Sequence, residues 1–138
     1  MACPFFMPLR TLDGGSWTHA PRLPLGDPYY GTCLARPKEL FDPPEAVQRD
    51  LCNCGYARGR CDHFTDDAAA DAVRFSVTGD ESGIVRLVYI IEKEHAPIEH
   101  GVLEYSVAES QLVNDRTSEL LASQARAFLE SYLRRRVA

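Results

Sequence analysis

The stretch VRFSVTGDESGIVRLVYII, residues 73–91, decides the fold expected of this 138-residue chain. From Val73 to Val77, apolar and polar residues alternate with the two-residue period of a strand that buries one face. Residues 79–83 (GDESG) are turn formers. Residues 84–91 are apolar on both faces apart from Arg86, as in a central strand. The stretch therefore predicts two antiparallel strands joined by a turn.

Two further elements follow this pair of strands. Residues 102–107 have the composition of a third strand. From about residue 117 to 136, apolar residues recur at the spacing of one helix face. These residues are Leu121, Ala125, Phe128 and Tyr132. The sequence predicts an α+β fold with a small antiparallel sheet of about three strands, packed by a C-terminal helix.

The first sixty residues have a different character. Eight of the nine prolines lie at or before Pro44, and six of the nine glycines lie at or before Gly59. Such a segment is rich in turns, but its many aromatic residues argue against disorder. We predict a single domain, residues 1–138, with a loop-rich metal-binding half (1–64) and a sheet-plus-helix half (65–138). A metal centre is expected to organise the first half.

Charge and hydropathy limit the partners and the cellular compartment expected of the chain. The net charge is −5, and residues 62–138 carry fourteen acidic and eight basic side chains. This balance gives no strong signal for nucleic-acid binding. No segment approaches the roughly 18 apolar residues of a membrane span, and the N-terminus lacks the pattern of a secretory signal. We therefore expect a cytoplasmic protein without a membrane partner, in a compartment where disulfides rarely persist.

The cysteines are the strongest functional signal. The chain has five, and three of them fall within ten positions in the stretch LCNCGYARGRCDHF (51–64). Thiolates are ligands for zinc and for iron–sulfur clusters, and a cubane [4Fe–4S] cluster normally takes four of them. The candidate metal ligands are Cys3, Cys33, Cys52, Cys54 and Cys61.

One of the five thiols would be spare in a four-thiolate cluster. Cys54 is the expected spare, because it lies only two residues from Cys52 and both would have to reach one cubane. Neighbouring glycines and aromatics, as in residues 29–33 (YYGTC), suit a cluster because they admit backbone amides and exclude solvent.

The helix expected before these cysteines supports their grouping. Asp42, two prolines and Glu45 have the form of a capping box that begins a helix. Gly55 is a natural terminator. The pattern predicts that Cys52 lies in the last helical turn and Cys61 on a returning loop.

Two alternatives remain open beside the iron–sulfur cluster. Cys52, Cys54, Cys61 and His63 have the ligand types of a structural zinc site, which would make the chain a zinc-stabilised interaction module. Cys61 with His63 would instead suit a thiol enzyme.

The acidic and histidine-containing segment 92–100 is interpreted as a solvated loop around Ala96 and Pro97. The chain has no G-x-S-x-G, no phosphate-binding glycine loop and no H-E-x-x-H motif, so catalytic turnover by this chain alone is not expected. The preferred expectation is a small iron–sulfur protein with an electron-transfer, redox-sensing or structural role and a protein partner.

Overall fold

A computed structural model gives the arrangement of most of the chain. It describes residues 2–11, 25, 29–35, 41–65, 68–113 and 118–137. Residues 135–137 are described by their backbone only. Among these residues it has two antiparallel sheets and a long C-terminal helix. The α+β class predicted from the sequence is confirmed.

The larger sheet is built around the two strands of the opening stretch. It has the order β3 (Ala72–Glu81), β4 (Ile84–Lys93), β5 (Ala96–Ser106) and β6 (Gln111–Leu112), all antiparallel. The prediction of about three strands is wrong in number, because the short β6 pairs with the end of β5. As predicted, β3 buries Val73 and Phe75 on one face.

The three long strands of this sheet are connected by tight two-residue turns. Ser82 and Gly83 join β3 to β4 with positive φ angles of 56° and 79°, and Glu94 and His95 join β4 to β5 at 53° and 65°. Such angles suit the right-handed twist of paired strands. The prediction of a solvated loop around Ala96 and Pro97 is therefore wrong. Strand pairing reaches Ala96, and a bulge near Ile91 absorbs the change in register.

The first half contains more regular structure than its composition suggested. β1 (Phe6–Thr11) pairs with β2 (Tyr29–Cys33) in a two-stranded sheet. A single α-helical turn, α1 (Glu45–Val47), runs directly into a π-helical turn, Gln48–Cys52. Cys52 thus ends the helical segment, as predicted.

The predicted capping box is wrong. The N-cap is Pro44, without a side-chain hydrogen bond, and Asp42 accepts one from the Thr32 hydroxyl instead (2.9 Å). The chain leaves the helical segment as the sequence indicated. Gly55 adopts a φ of 79° and its amide donates to the Leu51 carbonyl (2.8 Å).

Helix α2 (Glu119–Val137) joins the two halves. It packs against β1, and its Phe128 ring stacks on Phe75 of β3 with ring centres 5.6 Å apart. Buried residues of both halves, from Ala2 to Leu129, form one hydrophobic cluster. The cysteine-bearing segments therefore lie against the same core as the sheet.

Candidate metal centre

Four of the five cysteines line one cavity in the first half. They are Cys3, Cys33, Cys52 and Cys61, contributed by the N-terminus, the end of β2, the end of the helical segment and the loop that follows it. Much of the remaining wall is made of four phenyl rings, Phe5, Phe6, Phe41 and Phe64. The cavity itself has a volume of about 10 Å³, enough for about one water molecule. When the open space between the cavity and the surrounding solvent is included, the empty volume is about 350 Å³.

Cys3 is placed by backbone contacts and by one buried amide side chain. Its amide donates to the Cys52 carbonyl at 3.0 Å, which joins two of the thiol-bearing segments directly. From α2, the Gln124 amide nitrogen donates to the carbonyls of Cys3 (2.8 Å) and Phe6 (2.7 Å). The helix thus holds the N-terminal segment over the cavity.

Gln48 ties the helical segment to β2. This fully buried side chain accepts from the Gly31 amide (2.8 Å) and donates to the Pro43 carbonyl (2.7 Å). Cys33 lies two residues beyond Gly31, and its own amide donates to the Phe41 carbonyl at 2.7 Å. The backbone of Cys33 is therefore held by its own bond to Phe41 and, two residues earlier, by the bond from Gly31 to Gln48.

Asn53 makes the second link between the same two elements. Its carbonyl oxygen accepts from the Tyr29 amide (2.9 Å), and its amide nitrogen donates to the carbonyls of Tyr29 (2.9 Å) and Gln48 (2.8 Å). Asn53 is also fully buried. Because it follows Cys52 directly, it fixes the exit of that residue from the helical segment.

Cys61 lies on a loop with its own anchors. The Cys61 amide donates to the Ala57 carbonyl (2.8 Å), a contact within the loop. The loop is joined to the larger sheet by Arg58, whose guanidinium pairs with the buried Asp71 carboxylate (2.8 Å). The Tyr56 hydroxyl makes a second link, to Glu92 of β4 (2.7 Å).

Cys54 does not line the cavity. Its thiol donates to the Arg49 carbonyl at 3.4 Å, and its side chain is half-buried. The sequence singled out this residue as the expected spare ligand because of its spacing from Cys52. The structure places the four other candidate thiols around one cavity and Cys54 beside it.

The imidazole of His63 also lines the cavity, where its ring lies flat on Phe41 with centres 3.9 Å apart. The four residues of the zinc alternative are therefore divided. Cys52, Cys61 and His63 line the cavity, and Cys54 does not.

Burial favours the neutral form of two of the cavity thiols, Cys3 and Cys52. Burial raises the pKa of Cys3 from 9.0 to about 12, although the Phe5 backbone amide opposes the shift, and the nearby Cys33 and Cys61 thiols raise it further. Burial likewise raises the pKa of Cys52, and the thiols of Cys3, Cys33 and Cys61 add to the increase. Ionising several of them together is costly unless a cation compensates the charge.

All five cysteines lie in the described part of the chain, and none forms a disulfide. Within the same part, no group of three or more His, Cys, Asp or Glu side chains has the arrangement of a site for a metal ion. None of the described helices combines the length and apolar character needed to cross a membrane.

The chain matches no protein-family model, no curated protein and no solved structure.

The residues that sequence reasoning missed are the positioning amides, Gln48, Asn53 and Gln124. Each is buried and bridges backbone groups of separate segments. Their positions in the sequence carry no signal, because an amide side chain that is buried and one that is exposed look alike without the fold.

Proposed function

We propose that this chain binds a [4Fe–4S]-type cluster through Cys3, Cys33, Cys52 and Cys61 and acts in electron transfer or redox sensing. The observation that carries the proposal is the shared cavity: four thiols from four separate segments line it, and it lies among phenyl rings. Four thiolates are the usual ligand set of a cubane cluster. Surrounding aromatic rings exclude water, which protects a cluster and tunes its reduction potential.

Burial, together with the neighbouring thiols, raises the pKa values of Cys3 and Cys52, so both groups hold their protons. Metal binding replaces their protons and compensates the thiolate charge. The cavity of about 10 Å³ is smaller than a cubane, so binding requires the side chains around it to move outward.

The two alternatives have less support. The compact zinc site needs Cys54, whose thiol donates to the Arg49 carbonyl and lies off the cavity. A thiol enzyme needs an accessible thiolate. Three of the four cavity cysteines are buried, and burial keeps the Cys3 and Cys52 thiols protonated. Zinc bound by the same four thiols is the competing outcome that the experiment must separate.

The cytoplasm is the setting that we propose, since a reducing compartment keeps cysteines available for ligation. A cluster with these roles needs a protein partner for electron exchange or signalling.

The proposal is tested by anaerobic purification, reconstitution with ferrous iron and sulfide, and analysis of metal and acid-labile sulfide. A cubane gives about four iron and four sulfide per chain and a brown colour that bleaches on reduction. About one zinc per chain without sulfide would replace the proposal with a structural zinc site.

Two serine variants provide a matched comparison. Cys33→Ser removes a thiol that lines the cavity and is expected to lose the cluster. Cys54→Ser removes the thiol beside it and is expected to keep iron and sulfide at the wild-type level. The ligand set is wrong if the two variants lose iron equally. The function is wrong if wild type binds no metal.

A further inference from the structure

The four cavity thiols differ in their exposure. Cys3, Cys33 and Cys52 are buried, with 7%, 9% and 6% of their surface exposed, whereas Cys61 is half-buried. Cys61 also follows the exposed Arg60 and lies in a turn-rich loop. The cavity is therefore enclosed on the side of three thiols and closer to solvent at the fourth.

The backbone contacts divide the thiols in the same way. Cys3 is bonded directly to Cys52, and the amide of the residue after Cys33 donates to the carbonyl of Phe5, two residues after Cys3 (2.8 Å). The three buried thiols thus belong to one hydrogen-bonded unit. The backbone bonds of Cys61 are to Ala57 and Phe64, within its own loop.

We infer that Cys61 binds the exchangeable iron of the cluster, and that Cys3, Cys33 and Cys52 hold the other three irons. This inference rests on the proposed function and adds a regulatory property to it. The Cys61 side is the more exposed part of the cavity wall, and the anchors of its loop, Arg58 to Asp71 and Tyr56 to Glu92, are separate from the contacts among the other three segments. The chain would thus convert between four-iron and three-iron forms, which suits a sensor of oxidants or of iron supply.

The conversion from the four-iron to the three-iron form is a one-electron oxidation that releases one iron. An oxidant such as ferricyanide takes one electron from the [4Fe–4S]²⁺ cluster. The Fe–S(Cys61) bond and that iron's bonds to sulfide break, which gives [3Fe–4S]⁺ and Fe²⁺. The Cys61 thiolate then takes up one proton from water. Ferrous iron and one electron from dithionite reverse the step, and the proton leaves again.

Two alanine variants test the inference after anaerobic reconstitution with iron and sulfide. Cys61→Ala is expected to hold about three irons per chain and to give the electron paramagnetic resonance signal of an oxidised three-iron cluster. Cys33→Ala is expected to hold none. A cluster-free Cys61→Ala protein that retains wild-type circular dichroism would overturn the inference, and so would a three-iron cluster in Cys33→Ala.

Wild-type protein provides a test that does not depend on folding of a variant. One equivalent of ferricyanide should release about one Fe²⁺ per chain, and Fe²⁺ with dithionite should restore the four-iron spectrum. Complete loss of iron without the three-iron signal contradicts the inference while leaving the cluster itself established. A wild-type chain that never binds iron and sulfide contradicts the proposed function.

Discussion

Strands β3 and β4 pair backbone to backbone from Ala72 to Glu81. The segments around the cysteine cavity are joined in a different way, by single backbone bonds and by buried side chains. Gln48, Asn53 and Gln124 bridge carbonyls and amides of segments that are distant in the sequence. A buried backbone group without a partner costs about 1–3 kcal/mol, so both regions must satisfy these groups, and each does so by its own route.

The difference teaches that irregular segments can be positioned without a continuous backbone ladder. The backbone around the cavity thiols is held by separate hydrogen bonds from buried side chains and from neighbouring segments. In the sheet, the backbone groups of paired strands satisfy one another along the whole length of β3 and β4. In the cysteine-bearing half, a few side chains each serve several backbone groups, so loss of one should affect the whole site.

The largest contrast is expected from the same substitution made in both regions. A β-carbon at Gly31 would lie 2.0 Å from the backbone oxygen of Met7, which cannot move without separating β1 from β2. At Gly101 it would lie 2.6 Å from the Tyr89 ring, the far end of a side chain. We expect Gly31→Ala to lower the free energy of unfolding by about 3 kcal/mol or more, and Gly101→Ala by about 1 kcal/mol. Urea denaturation of the metal-free proteins measures both, and equal losses would remove the distinction between the regions.

A second comparison removes one buried amide side chain near the cysteine cavity and one exposed amide side chain in the larger sheet. Asn53→Ala removes the partner of the Tyr29 amide and carbonyl and one of two donors to the Gln48 carbonyl, and we expect a loss of about 2–3 kcal/mol. Gln111→Ala removes an exposed amide that bonds only to Glu109 among the described residues, and we expect a change within about 0.5 kcal/mol. Hydrogen exchange of the metal-free Asn53→Ala protein should also show lost protection at the Tyr29 amide. Unchanged protection there would mean that Asn53 does not hold β2 in place.

The third comparison, in which the expected loss shrinks with falling pH, lies where the two regions meet. Asp71 accepts from Arg58 of the cysteine loop (2.8 Å) and from the Glu94 amide in the turn between β4 and β5 (2.9 Å). Burial alone would raise the pKa of this carboxyl, but the Glu94 amide and the Arg58 guanidinium outweigh it and hold the pKa below 3.8.

Because the pKa of Asp71 is depressed in the folded state, its stabilising effect is present above pH 3.8 and is lost as the pH falls through the lowered value. Asp71→Asn should therefore cost about 2 kcal/mol at neutral pH and progressively less in acid. Urea denaturation of wild type and variant across this range measures the difference. A constant difference between the two proteins at every pH would exclude the carboxylate charge as its cause.

The sequence predicted the regions unequally, for physical reasons. Alternation in β3 and the apolar stripe of α2 are visible because one face of each element is buried. The beginning of β5 was missed because Pro97 suggested a loop. Proline is nevertheless tolerated in a strand at the edge of a sheet, and β6 reaches only Tyr105 and Ser106 of β5.

The cysteines were visible in the sequence as candidate ligands, whereas the side chains that hold their segments in place were not. The spacing of Cys52 and Cys54 marked Cys54 as the spare thiol, and its side chain lies off the cavity. The roles of Gln48 and Asn53 depend on contacts with β2, about twenty residues away in sequence. Such contacts leave no local pattern.

The buried amides also have a consequence for how this half of the chain tolerates mutation. Gln48, Asn53 and Gln124 bond to backbone groups, which every residue carries, so the residues that they hold can be exchanged more freely than the amides themselves.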